Sequence, residues 1–346
     1  MKKLTCLLAA LLAIMLLSSG ALATTLTVYN SYDYIDESVL EDFTAETGIQ
    51  VEYVMFTRQE EMYTQITTGG GKYDIIFPSD YIIERLIKDD MLAEIDYEKC
   101  PNAKENLLDS MWESDYDYGN VYSVPYMWGT MGILYNIDLT GEEIYSWDSL
   151  FDTKYRRDVF MLDSMRDMMG LMLVYLGYDI NSTDEEELAE VRDLLLEQKS
   201  NNIVQGYLVD EVKDKMVGGE AAMAVMWSGD AMYAMDLDEE GVLEYVVPDE
   251  GSNIWIDAMC VLKTSENYDA AMQFIDFICR EDIAARNYDY IHYASPIKQV
   301  VENLAEEEAE NMAVNPDEEV LERCYFFHDL MDQMDLYNTY WMQIRS

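Results

Sequence analysis

Thr25-Leu26-Thr27-Val28-Tyr29-Asn30-Ser31-Tyr32-Asp33-Tyr34, followed by Glu37–Thr47 and Gly48, sets the pattern that the rest of the chain repeats. Residues 25–29 alternate and are rich in β-formers, which predicts a strand. Glu37–Thr47 carries Val39, Leu40 and Phe43 at helical spacing and stops at Gly48, a residue suited to closing a helix. Ile49–Met55 alternates again, and Glu60–Thr68 is helical up to Gly69-Gly70-Gly71. Tyr73-Asp74-Ile75-Ile76-Phe77 reads as a buried strand ended by Pro78, and Tyr81–Lys88 as a helix. Strand–helix units in series predict a parallel sheet with helices on both faces. In such sheets ligands sit beyond the carboxyl ends of the strands. Those ends are Tyr29–Tyr34 and Pro78-Ser79-Asp80-Tyr81, both mixing carboxylate, hydroxyl and aromatic groups.

Further along, Tyr122–Asn136 is an apolar, aromatic run interrupted by Gly129 and Gly132, as extended chain passing close to other backbone would be. Phe160–Asp163 predicts a strand feeding a helix, on whose first turns Asp163 and Asp167, four apart, would share a face. A cap and a dipole partner explain the same two acids equally well. Asp184–Gln198 reads as an acidic surface helix and Ala221–Met226 as a buried strand ending in the loop Trp227-Ser228-Gly229-Asp230. Tyr268–Arg280, the acidic stretch Glu302–Met312 and the C-terminus read as helices. Between them runs Asn253-Ile254-Trp255-Ile256-Asp257-Ala258. If extended, its period of two puts Trp255 and Asp257 on one face. An aromatic wall beside an anion suits an organic cation, offering a π face for its charge and an acceptor for its N–H groups.

The first residues imply export. Lys2 and Lys3 precede the apolar run Leu4–Leu17, and Ala21-Leu22-Ala23 forms a small-x-small site, so a signal peptide over residues 1–23 is expected. The apolar run of about 14 residues is shorter than the roughly 20 a membrane span requires. Cys6 lies near the start of that run, not at the cut, so a lipid-modified cysteine is not expected. Cleavage leaves 323 of 346 residues, enough for two domains. The net charge of −47 becomes −49 without Lys2 and Lys3, which repels nucleic acid and attracts cations. Cys100, Cys260, Cys279 and Cys324 show neither a disulfide framework nor a metal spacing, and two histidines argue against a histidine-rich metal site. No cofactor is expected.

Tyr32-Asp33-Tyr34, Trp227…Asp230 and Trp255…Asp257 each place an aromatic near a carboxylate at a strand end. Together with Tyr29-Asn30…Tyr34, Glu46-Thr47-Gly48-Ile49, Tyr73-Asp74 through Pro78-Ser79, Pro125-Tyr126…Trp128-Gly129, Ser146-Trp147 and Tyr293…Pro296, they run in order through the mature chain. In these features the chain resembles the spermidine/putrescine-binding proteins of ABC uptake systems, within the periplasmic solute-binding superfamily. The resemblance implies an α/β fold of two lobes, each a mostly parallel sheet flanked by helices, with the ligand cleft between them. Residues 24–130 plus 255–305 would form one lobe, and 131–254 plus 306–346 the other.

It further implies a monomeric, non-enzymatic protein outside the cytoplasm that hands a polyamine to a membrane permease. Carried over position by position, Asp257 and Asp230 would bind amine groups, with Trp255 and Trp227 along the methylenes. Asp33, Tyr34, Ser79 and Tyr81 would contribute from the first lobe, Asp167 from the second, and Tyr293 would close one side. Ser31 stands where family members usually carry Trp, Ser164 where spermidine-preferring members can carry Asp, and Phe327 near where a Gln contacts the longer ligand. The remaining acids are closer to a diamine binder's set, with putrescine ahead of spermidine. Two other classes stay open. A carboxylate-dependent secreted hydrolase would need a nucleophile motif, and G-x-S-x-G and H-E-x-x-H are both absent. The other is another small solute bound by the same fold, such as an amino acid or a sugar; an amino acid would need an arginine, for which the cleft loops offer only Arg166.

Overall fold

A computed structural model describes residues 24–69 and 71–346, so the expected signal peptide lies outside the described residues. The first unit follows the sequence pattern closely. Strand β1 (Thr25–Ser31) leads to α1 (Glu37–Thr47), which buries Val39, Leu40 and Phe43 and closes on Gly48 at φ 75°. Next come β2 (Gln50–Phe56), α2 (Gln59–Thr67), β3 (Ile75–Ile76) and α3 (Asp80–Lys88). β1 pairs in parallel with both β2 and β3.

The second set is β4 (Ser123–Asn136), β5 (Val159–Leu162), α4 (Met165–Tyr175), α5 (Glu185–Ser200), β6 (Val204–Leu208) and α6 (Glu211–Val217). Then follow β7 (Met223–Trp227), α7 (Ser228–Asp236), β8 (Leu243–Val246) and β9 (Ser252–Val261). Helices α8 (Tyr268–Ile278) and α9 (Glu281–Ile291), the short strand β10 (Cys324–Tyr325) and α10 (Met334–Arg345) complete the labelled elements.

The strand order is β2-β1-β3-β9-β4-β7-β5-β6, with β10 beside β9 and β8 beside β4. Pairing is parallel within each strand–helix set and antiparallel where β9 meets β3 and β4 and where β4 meets β7 and β8, while the short β10 lies parallel to β9. All fourteen residues of β4 are buried. Its first part pairs with β9 from Ser123 to Thr130, and its continuation pairs with β7 from Met131 to Tyr135. One strand thus stitches two sheet regions, and its glycines permit the close approach. A Cβ at Gly129 would lie 2.8 Å from the Trp255 ring, and one at Gly132 would lie 2.3 Å from the Val246 carbonyl.

Each sheet region is covered on both faces. Around β1 and β3, one face holds Phe43, Phe274 and Ile275, and the other holds Ile82, Leu86 and Trp128. Around β5 and β7, one face holds Trp147, Leu171 and Tyr337, and the other holds Phe160, Met216 and Met226. Of the last segment, Ala313 and Val314 pack in the first of these clusters, whereas Tyr337, Tyr340 and Ile344 pack in the third. Among the described residues no helix is long and apolar enough to cross a membrane, and the four cysteines are free thiols.

Two expected elements differ. Glu302–Met312 is not one helix: helical turns occur at Lys298–Glu302 and Glu306–Ala309, with non-helical chain between them. Glu306, Glu307, Glu308 and Glu310 crowd like charges onto one turn, which opposes a longer helix. Asp163 is not on a helical face with Asp167 either. The helix begins at Met165, with Ser164 as its N-cap, and Asp163 turns away to an ion pair 3.0 Å from Arg345.

Candidate functional site

β9 runs antiparallel to β4, and its alternation places Trp255 and Asp257 on the same side, opposite Gly129 and Met127. Both side chains are almost fully buried. Pro78 ends the chain after β3, and Ser79 caps α3, from where its Oγ donates to Asp257 Oδ1 at 2.5 Å. Gln59 holds the Ser79 backbone in turn, accepting its N–H at 3.2 Å. Beside Ser79, the buried Asp80 accepts the Ile256 N–H at 3.3 Å, tying α3 to β9. Two residues beyond Ser79, the Tyr81 hydroxyl donates to Glu60 Oε1 at 3.1 Å.

Asp167, in the first turn of α4, accepts a hydrogen bond from Ser164 Oγ. It lies near enough to Asp257 for the two charges to repel. Burial pushes the Asp257 carboxyl up to about 6; Ser79's hydrogen bond opposes this and the Asp167 charge adds to it. Burial likewise pushes Asp167 up to about 6, against the Ser164 hydrogen bond and the neighbouring Arg166 charge, with Glu60 adding to the rise. Among the described residues neither carboxylate has an ion-pair partner within 4 Å, and Arg166 is occupied elsewhere. Its guanidinium donates to the Ile180 carbonyl at 3.0 Å and to Asn181, and stacks 3.9 Å over the Phe327 ring.

Aromatic side chains line the space beside these acids. Tyr293 stands edge-on to Trp255 at 5.0 Å and to Tyr34 at 5.8 Å. The buried Tyr34 hydroxyl lies beside Asp257 and, with Ser79, favours its charged form. Gly229 is what lets Tyr293 in, since a Cβ there would sit 2.2 Å from its ring. Gly229→Ala is therefore expected to cost about 1–3 kcal/mol, seen as a lower denaturation midpoint at unchanged slope. An unchanged midpoint would show that the ring has room to retreat.

Trp227-Ser228-Gly229-Asp230 is not a loop: Trp227 ends β7 and Ser228 already begins α7, because strand and helix abut without a connection. Asp230 thus lies in a first helical turn, and its Oδ1 is 3.2 Å from Lys213 Nζ. Tyr293 sits between Asp230 and Asp257, feeling both charges. Asp33 takes a left-handed backbone (φ 53°), is exposed, and accepts a hydrogen bond from Tyr290 at 2.6 Å. It therefore stands at the rim, apart from the buried Tyr34, Trp255 and Asp257 and the half-buried Ser79, Tyr81, Asp167, Asp230 and Tyr293. Trp227 is half-buried and packs in the same cluster as Trp255 and Tyr293.

Glu60 and Lys213, which sequence reasoning missed, come from α2 and α6, where nothing in the local pattern separates them from other surface charges. The arrangement as a whole is a crevice of carboxylates walled by rings, suited to binding a cation: among the described residues Asp257 and Asp167 have no ion-pair partner within 4 Å, and Asp230 pairs with Lys213.

The sequence profile of the family described as bacterial extracellular solute-binding protein matches residues 38–315. A spermidine/putrescine-binding periplasmic protein of Salmonella typhimurium is 31% identical over 96% of this chain and 97% of its own. A putrescine-binding periplasmic protein of Pseudomonas aeruginosa is 30% identical, covering 93% of this chain and 92% of its own. The solved structure of a spermidine/putrescine ABC transporter protein from Listeria monocytogenes superposes with a TM-score of 0.86 at 36% identity, over 93% of this chain and 99% of that one. With a family profile matched over most of its length and relatives aligned almost end to end, the chain belongs to the bacterial extracellular solute-binding protein family.

Proposed function

We propose that this protein captures a polyamine, putrescine or spermidine, in the crevice between two lobes and delivers it to the permease of an ABC transporter. The observation that carries this reading is the pair of carboxylates, buried Asp257 and half-buried Asp167, which among the described residues have no ion-pair partner within 4 Å. An unpaired buried charge costs several kcal/mol, and a bound ammonium removes that cost. Alkyl amines titrate like lysine, near 10.4, and arrive charged. Rings beside the crevice add about 0.5–2 kcal/mol each once water is excluded. Micromolar affinity corresponds to about −8 kcal/mol, within reach of such a set.

In this reading Asp257, Asp167 and Asp230 meet the amines, Ser79, Tyr34 and Tyr81 orient the acids, and Trp255, Trp227 and Tyr293 flank the methylenes, with Asp33 at the rim. The protein acts as an exported monomer, with residues 24–130 and 255–305 as one lobe and 131–254 and 306–346 as the other. The unpartnered buried Trp255 Nε1 would suit a ligand with an acceptor, but the surrounding carboxylates repel an anionic solute. Arg166, the one arginine an amino-acid carboxylate could have used, already serves Ile180 and Asn181.

Calorimetry with putrescine, spermidine, a neutral sugar and an amino acid tests the reading: heats of micromolar binding are expected from the amines alone. Saturable heat from the sugar or amino acid, with none from either amine, would overturn it. Lobe closure is a second expected outcome. Arg85 and Lys88 on α3 reach Asp332 at 3.0 and 3.1 Å, and His328 Nδ1 meets Glu84 at 2.7 Å, contacts that close α3 onto the C-terminal segment. Facing carboxylates repel across an open crevice and a cation relieves this, so ligand favours closure. Small-angle scattering should show a smaller radius of gyration with putrescine; superimposable curves would refute closure.

A further inference from the structure

The crevice contains a cation of its own. Lys213 projects from α6, with Nζ 3.2 Å from Asp230 Oδ1 and 5.3 Å from the centre of the Tyr233 ring. Its side chain is 24% exposed and that of Asp230 14%, so the pair is largely withdrawn from solvent. Asp210 and Asp33 add negative charge around it. The two ends of the crevice therefore differ. Asp257, Asp167 and Glu60 form an end whose acids have, among the described residues, no ion-pair partner within 4 Å, the nearby Arg166 being held by Ile180 and Asn181, whereas at Asp230 the acid is already shared with a lysine.

We propose that Lys213 is a specificity-determining residue, a fixed positive charge that makes the crevice discriminate among amines by their number of charges. The proposal rests on the polyamine reading above. An ammonium that approaches Asp230 must share its carboxylate with Lys213. More generally, Coulomb repulsion falls only as the inverse of distance, and a crevice poor in water screens it weakly. Every additional ammonium in the ligand thus adds a repulsive contribution from the same fixed charge, whichever way round the ligand lies. The summed penalty grows from a diamine to a triamine. A lysine that merely fastened α6 to α7 would weaken or strengthen both ligands by the same factor when removed.

Calorimetry on the full chain with putrescine and spermidine separates the two roles. Lys213→Met is expected to raise the ratio of spermidine to putrescine affinity about fivefold to tenfold, tenfold being 1.4 kcal/mol. Lys213→Gln, a second neutral side chain, should move the ratio in the same direction should the methionine variant fold poorly. Lys213→Arg, which keeps the charge, should hold the ratio within about twofold of the original. Equal shifts for both amines in the neutral variants, or a ratio that falls, would overturn the role of Lys213 while leaving polyamine binding intact. An unsubstituted protein that bound neither amine would instead overturn the polyamine reading, and this inference with it.

Discussion

Asp257→Asn is expected to weaken putrescine binding about 100-fold while leaving the ligand-free protein more stable than the parent. Removing one partner of a buried, hydrogen-bonded charge pair costs about 2–5 kcal/mol of affinity, and 100-fold is 2.8 kcal/mol. Asparagine keeps the shape and an acceptor for the Ser79 hydroxyl, which donates to Asp257 Oδ1 at 2.5 Å, so the fold loses little. The stability change has the opposite sign because the native site holds this carboxyl's proton too tightly. In the unfolded chain an aspartate ionises near 3.9, whereas burial raises Asp257 to about 6. The penalty for the charged form is absent below about pH 3.9, builds between there and 6, and is complete above. Two units correspond to about 3 kcal/mol at pH 7, so relief of about 1–3 kcal/mol is expected after the partial loss of hydrogen bonding. Calorimetry reads the affinity and denaturant unfolding at pH 7 reads the stability. Retained affinity would remove Asp257 from the site, and a marked loss of stability would show its charge to be structural.

Acidification should have nearly as large an effect. Asp257 and Asp167 both titrate at about 6 in the ligand-free protein, and an ammonium pairs with the ionised forms. One unit below its pKa, each group must give up a proton at a cost of about 1.4 kcal/mol before it can pair, about tenfold in affinity. Two groups give up to about 100-fold weaker binding at pH 5 than at pH 7, while above pH 7 the affinity should level off. Binding near pH 6 should release protons, so heats measured in buffers of different ionisation enthalpy should diverge there and converge at pH 8. Affinity that stays flat between pH 5 and 7 would mean that the amine meets carboxylates already ionised throughout.

Much of this site could be read before any coordinates. β9 places Trp255 and Asp257 on one face because a strand alternates with period two, and a period needs no tertiary information. α1 ends at Gly48 because a positive φ favours glycine, again a local rule. Local rules failed where competing contacts decided. Asp163 leaves the α4 helix for Arg345, 182 positions away in sequence, which no pattern around residue 163 announces. Asp230 becomes a helical residue because α7 follows β7 without a gap.

The sequence by itself determined the alternating strands and helices, the acids and rings at strand ends, and the excess negative charge that favours a cationic ligand. Only the tertiary structure decided which of the 69 acids meet: Glu60 joins Tyr81, Asp167 stands against Asp257, and Lys213 comes to Asp230. The physical reason is range. Hydrogen-bonded periodicity acts over a few residues and is written in their order, whereas burial and charge act through space, on groups that the fold brings together from separate elements.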